Sequence, residues 1–216
     1  ICYWRISLLE NNMAKNINVL MFTPYPPACG GIATWSKMVV EYSQTFDNVK
    51  IFPVNIGSLK VKSVDRSKIQ RVIYGLLDLK DVLKQAKKII KNNKIDVIHI
   101  ILVGGLSVYR DKKLIKLAKK HNIPVVTHIR FGRIPEIMEK QTREWKSVKK
   151  NLDIADKIMT IDEATQKALL PLYESKLEKI YNPVIIDKNV LKMEHQNNRR
   201  ILFVGWVIKT KGIEEL

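Results

Sequence analysis

The stretch Pro24-Tyr25-Pro26-Pro27-Ala28-Cys29-Gly30-Gly31-Ile32-Ala33-Thr34-Trp35 holds the most chemically suggestive pattern in the chain. Paired glycines at the start of a helix let backbone approach a ligand closely, and the free N–H groups and dipole there favour an anion. The same pair also suits a plain strand-to-helix turn, so both readings stand. Two familiar phosphate motifs are excluded: G-x-G-x-x-G cannot be laid on this stretch, and no G-x-x-x-x-G-K-[ST] occurs. Cys29 has no identifiable helper for nucleophilic attack and reads as a small loop residue. His128, with Arg130 and Arg133 close behind, is a second candidate group. A histidine at a strand's carboxyl end can hydrogen-bond a hydroxyl or phosphate, and arginines bind anions bidentately. A structural histidine near solvated arginines is an equal alternative. His99, inside an apolar run, reads as a satisfied core histidine.

The elements that must carry these residues alternate. Ile17–Thr23 is expected as a strand, stopped by the prolines after it, with a helix over 33–44. Further strands are expected at 49–54, 96–101, 123–128, 157–161 and 180–181. Leu79–Lys91 has its apolar residues at helical spacing with lysines opposite, and helices are also expected at 114–120, 137–151 and 163–170. Asp162 is the expected N-cap of that last helix, which Pro171 ends or kinks. This alternation implies an α/β protein with an open, doubly wound parallel sheet. In that class ligands bind outside the carboxyl ends of the strands, which directs attention to loops 24–32, 102–110, 128–135 and 161–163.

The 216 residues are 46% hydrophobic and 27% charged, enough apolar material for a core and too much for overall disorder. Cys2 and Cys29 are the only cysteines, which excludes a disulfide scaffold and a structural zinc site and suits a reducing cytosol. The longest apolar stretch, 97–106, is about half the length that spans a bilayer. Residues 1–12 lack an initiator Met and have too short an apolar part for a signal peptide, so they are expected to lie outside the fold. Residues 188–200 are polar and read as a linker. Ile201–Val204 begins a new strand and Lys211–Leu216 a new helix, a unit unable to bury its own faces, so a second domain is expected to be cut short.

Taken in order, Gly30-Gly31-Ile32-Ala33-Thr34, Asp96-Val97-Ile98-His99, Thr127-His128, Ala155-Asp156-Lys157-Ile158-Met159-Thr160, Tyr181-Asn182-Pro183-Val184-Ile185-Ile186-Asp187, Phe203-Val204-Gly205 and Lys211-Gly212 resemble the retaining family 4 glycosyltransferases. The resemblance covers about residues 17–216 and lies in the order and spacing of motifs that are each weak alone. It implies a GT-B architecture of two Rossmann-like domains facing a cleft. Residues 13–187 would be the acceptor-side domain and 201–216 the opening of the nucleotide-sugar domain. It further implies transfer of a sugar from a UDP-, GDP- or similar nucleotide sugar to an acceptor hydroxyl with retention, in bacterial surface polysaccharide or glycolipid synthesis. Gly30 and Gly31 would lie in a loop whose backbone faces the donor diphosphate and the acceptor, Gly205 would face the donor, and Thr34, Arg130 and Arg133 would bind substrate. His128 would sit near the transferred sugar, and Lys211 would stabilise the leaving diphosphate as charge builds on it. The leaving phosphate can take the acceptor proton, so no dedicated protein base is implied, and neither a cofactor nor a metal is expected. One departure is clear: Trp206 stands where family members commonly carry an arginine. The isolated chain is expected to be inactive.

Lys+Arg 38 against Asp+Glu 21 leaves a formal charge of +17, which points to an anionic partner. Lys80, Lys84, Lys87, Lys88, Lys91 and Lys94 form a basic helix face, and Lys112, Lys113, Lys116, Lys119 and Lys120 thicken another. By the resemblance, such surfaces suit peripheral contact with the inner face of the cell membrane, where lipid-linked acceptors reside. Solvated faces in a lysine-rich chain are the plain alternative. Nucleic acid is not expected, since no stacking-aromatic surface accompanies the lysines. Two other functions stay open: a binding module that holds an acceptor or lipid without chemistry, and another nucleotide-dependent Rossmann enzyme.

Overall fold

Short β-branched runs alternating with amphipathic segments can bury both sheet faces only by placing helices on each side. The computed structural model of the chain describes residues 16–28, 30–57, 68–183, 203 and 213–214. Strands β1 (Ile17–Thr23), β2 (Val49–Asn55), β3 (Val97–Leu102), β4 (Val125–Ile129), β5 (Lys157–Thr160) and β6 (Leu177–Lys179) form one sheet. Its order is β2-β1-β3-β4-β5-β6, and every neighbouring pair is parallel. The helices are α1 (Gly31–Ser43), α2 (Lys68–Asn92), α3 (Ser107–Lys120), α4 (Ile134–Glu139), α5 (Arg143–Ile154) and α6 (Glu163–Tyr173). The expected α/β, doubly wound, Rossmann-like sheet is what the chain forms. It divides after Pro183 into two compact units, and nearly all the described residues belong to the first.

Strand alternation sorts the side chains. Leu20, Phe22, Ile98, Ile100, Val125, Ile129 and Ile158 pack in one apolar cluster with residues of α2, α3, α5 and α6. Met21 and Ile101 turn the other way and pack with Trp35 of α1. One sheet face therefore carries α1 and the other carries most of the helical mass. His99 and His128 alternate with Ile98, Ile100 and Ile129, so both imidazoles stand on the α1 side.

Several expected boundaries shift. The single helix expected over 137–151 is two, α4 and α5. Gln141, in the left-handed region at φ 47°, turns the chain, and the Thr142 hydroxyl restarts the helix by accepting the Trp145 N–H. Helix α2 begins eleven residues before the expected Leu79, and α3 begins at Ser107 rather than Leu114. Asp162 caps α6 as expected, accepting the Thr165 N–H at 2.7 Å. Pro171 does not end that helix, which runs on to Tyr173. The last strand is Leu177–Lys179, not 180–181, because its partners are Ile158–Thr160 of β5. The expected leader at 1–12, the linker at 188–200 and nearly all of 201–216 lie outside the described residues.

Candidate functional site

Parallel strands aim their carboxyl ends at one edge of the sheet, and the loops that leave there define the site. At the end of β1, the Thr23 and Ser36 hydroxyls are hydrogen-bonded, tying the strand to the helix it feeds. The Asn55 amide donates to the Tyr25 carbonyl at 2.8 Å, and its oxygen accepts the N–H groups of Tyr25 and Gly57. These bonds fix both shoulders of the loop before the glycine turn. Gly30 takes φ 125°, a conformation that L side chains rarely adopt, and α1 starts at Gly31. Both glycines are exposed, and a Cβ built on either meets nothing within 4 Å. The turn thus faces open space rather than packed interior. No side chain caps the start of α1. Thr34 is exposed and its hydroxyl donates back to the Gly30 carbonyl at 3.3 Å.

One turn into α1, Trp35 lies 8% exposed and reaches across the sheet face. Its ring meets His128 edge-on with centroids 5.2 Å apart, and His99 at 6.4 Å. In the register of β3 and β4, His99 pairs with Val126 and Ile101 with His128, so the imidazoles are diagonal neighbours. They stack with centroids 5.5 Å apart and planes 12° from parallel. The Arg130 guanidinium lies over the Trp35 ring, 4.4 Å from its centroid, a cation–π contact. Its Nη1 donates to the Asn182 side-chain oxygen at 2.7 Å, while its backbone N–H binds the Leu102 carbonyl.

This environment decides the charge states. Burial, with the Arg130 charge in support, pushes His99 down to about 4. Burial, then His99 and Arg130, pushes His128 down to about 2. Both imidazoles are therefore neutral near pH 7. Neither ring nitrogen of His128 has a hydrogen-bond partner among the described residues, and the buried Nε of Arg130 has none either. Burial lowers Arg130 only to about 10, so it stays cationic. The group offers one neutral donor–acceptor ring and one fixed cation.

The structure brings Gly30, Gly31, Thr34, His128 and Arg130 to this edge, joined through Trp35. Arg133 is engaged elsewhere: it is exposed and pairs with Glu144 at 3.1 and 3.3 Å. Glu144 Oε1 also accepts the Gly105 N–H at 2.6 Å. That brace borders a shallow cavity of about 260 Å³ lined by Gly105, Leu106, Val108, Tyr109, Glu144 and Ser147. Cys29, Gly205, Trp206 and Lys211 lie outside the described residues. Trp35 and Asn182 join the site without having been singled out. Trp35 sits one helical turn beyond the glycine pair, but no linear signal shows that it meets β4.

No protein-family model matches the chain, and no curated protein sequence matches it. Solved structures similar to it include LpCGTa in complex with UDP, at 9% identity and a TM-score of 0.45, with 82% of this chain covered. Another is a UDP-glucosyltransferase from Polygonum tinctorium capable of glucosylating indoxyl and 3,4-dichloroaniline, at 9% identity and a TM-score of 0.41, with 86% of this chain covered. The chain spans 56% of the length of each.

Proposed function

We propose that the chain is the acceptor-side half of a glycosyltransferase that moves a sugar from a nucleoside diphosphate sugar to an acceptor hydroxyl with retention. The observation that carries this reading is the open glycine turn at an uncapped helix start, joined through Trp35 to a neutral histidine and a cationic arginine. Backbone N–H groups and the Arg130 guanidinium suit a diphosphate, and a neutral His128 suits a sugar hydroxyl. In the step, the bond from the anomeric carbon to the diphosphate oxygen breaks and a bond to the acceptor oxygen forms. The acceptor proton passes to the leaving diphosphate. Positive charge and amide dipoles at the edge stabilise the charge that develops there.

Lys211 and Gly205 belong to this reading through the motif resemblance, as contacts of a nucleotide-sugar domain. The acceptor is a glycan or lipid-linked glycan, and the setting is bacterial polysaccharide or glycolipid synthesis at the inner membrane face. Among the described residues no helix is long and apolar enough to cross a membrane, so the contact in this reading is peripheral. The test is transfer by the complete product of the gene, offered UDP- and GDP-sugars with a panel of lipid-linked acceptors. Formation of a glycoside with the donor's anomeric configuration, read by NMR, supports the proposal. Absence of both transfer and donor hydrolysis across the panel, with acceptor binding intact, overturns it in favour of a non-catalytic binding module.

A further inference from the structure

Arg110 stands on the first turn of α3, beside Asp111, which is fully buried. Side chains one position apart on a helix point about 100° away from each other, so this is not the kind of pair that stabilises a helix along its surface. Arg110 nevertheless folds onto its neighbour: Nε and Nη2 donate to Asp111 Oδ1 at 3.0 and 2.7 Å. The third arm of the guanidinium, Nη1, donates at 3.0 Å to the carbonyl of Ile56, in the loop after β2. In the sheet β1 lies between β2 and β3, so this bond spans the strand that feeds the glycine turn. Replacing a buried ion pair by apolar residues of similar volume is often neutral or stabilising, so the packing of α3 does not by itself require a charged pair there. What an apolar pair cannot supply is a planar donor aimed at a chosen carbonyl.

The loop held by Arg110 lies against the root of the glycine turn. Ile56 donates its own N–H to the Thr23 carbonyl, at the end of β1, at 3.0 Å. Asn55, just before it, bonds both backbone groups of Tyr25, whose carbonyl also accepts the Ala28 N–H at 3.1 Å. Just after it, a Cβ built on Gly57 would come within 3.0 Å of Asn55 Oδ1 and 3.2 Å of the Ala28 Cβ, so the two loops meet with no room for a side chain. We propose that Arg110, aligned by Asp111, is a positioning residue for the glycine turn. It fixes loop 55–57, which fixes residues 25–28, and so sets where the N–H groups at Gly30 and Gly31 stand for a donor diphosphate. The identity of that ligand rests on the reading above; the mechanical link does not.

The experiment compares the 216-residue chain with three variants at pH 7, by amide NMR without any nucleotide sugar. Arg110→Met with Asp111→Leu removes charge and donor together and leaves apolar side chains of roughly similar volume. The amides of Tyr25, Ala28, Gly30, Gly31 and Gly57 should shift and broaden. Arg110→Lys keeps the charge but loses the planar fork, and should move the same amides by less; it carries the test if the double variant does not fold. Ile158→Val thins the core under β5, costs stability in an ordinary way, and should leave those amides in place. In the complete gene product, Arg110→Lys should lower kcat/KM for the nucleotide sugar by about tenfold and the double variant by about 100-fold, with KM for the acceptor changed by less than about twofold. The NMR comparison decides the mechanical link whether or not transfer is found. Three results overturn the proposal: turn amides that coincide with the parent's in both Arg110 variants, turn amides that move as much in Ile158→Val, or transfer kinetics of an active parent left unchanged by both Arg110 variants.

Discussion

The stacked histidines make stability depend on pH in a direction and size that follow from their burial. The ordinary imidazole value is 6.5, and the folded chain lowers His99 to about 4 and His128 to about 2. A group whose folded value is depressed gives its full stability above the unfolded value and loses it as pH falls toward the folded one. Between pH 7 and pH 5 the unfolded chain takes up a proton on each imidazole while the folded chain takes up almost none. At about 1.4 kcal/mol per proton per pH unit, the cost by pH 5 is about 2 kcal/mol for each ring and about 4 kcal/mol together. Asp111 acts in the opposite sense. It is fully buried, and burial raises it from 3.8 to about 6 against the pull of Arg110, so folding protonates it sooner. Its protonation returns about 1 kcal/mol by pH 5, leaving a net loss of about 3 kcal/mol. Urea unfolding at pH 7, 6 and 5 measures this, and His128→Gln should remove about half of the histidine contribution. In NMR titrations of the folded protein neither imidazole should titrate above pH 5. Unfolding midpoints that stay level across this range, or a His128 resonance titrating near 6.5, would refute the reasoning.

Trp35→Ala removes a buried ring that touches both histidines and Arg130, and should cost about 3–5 kcal/mol in chemical denaturation. Trp35→Phe, which keeps an aromatic face, should lose much less. Gly30→Ala places a side chain at φ 125° and should cost about 1–3 kcal/mol in the same assay. Gly31→Val has open space around its new side chain, so stability should hold within about 1 kcal/mol. Sugar transfer by the complete gene product should nevertheless fall sharply if a diphosphate approaches that backbone, and unchanged transfer would exclude such a contact.

Strand β1, the helix after it and the carboxyl-edge rule were legible because Ile17–Thr23 is a short, almost wholly apolar run and prolines close it. The glycine pair was legible as a helix start because its backbone conformation belongs to the residue type. The break between α4 and α5 was not, since a polar Gln141 in the left-handed region gives no stronger signal than any surface glutamine. The extent of α2 was also hidden, because Ile73, Leu76 and Leu77 face away from the sheet and blur the expected amphipathic pattern. The expectation of a satisfied core histidine at position 99 described its burial but missed its neighbour. Register between β3 and β4, a long-range property, is what sets the two imidazoles together. Arg133 looked equivalent to Arg130 from spacing alone, yet Glu144, eleven residues on, engages one and not the other.

That difference between the arginines bears on how one edge can handle both a charged and an uncharged part of a ligand. A protonated histidine beside Arg130 would place two like charges in a poorly solvated site, and one would be expelled. Burial resolves the conflict by keeping His128 neutral, so it can donate and accept with a hydroxyl but cannot hold an anion by charge. Arg130 keeps its cation because the Trp35 face and the Asn182 oxygen receive it. An incoming phosphate oxygen would compete with Asn182 for Nη1, while the contact with Trp35 could persist. Under this account Asn182→Ala should leave the histidine titrations unchanged and free the guanidinium for ligand. Asn182→Asp should hold the guanidinium more firmly and oppose diphosphate binding.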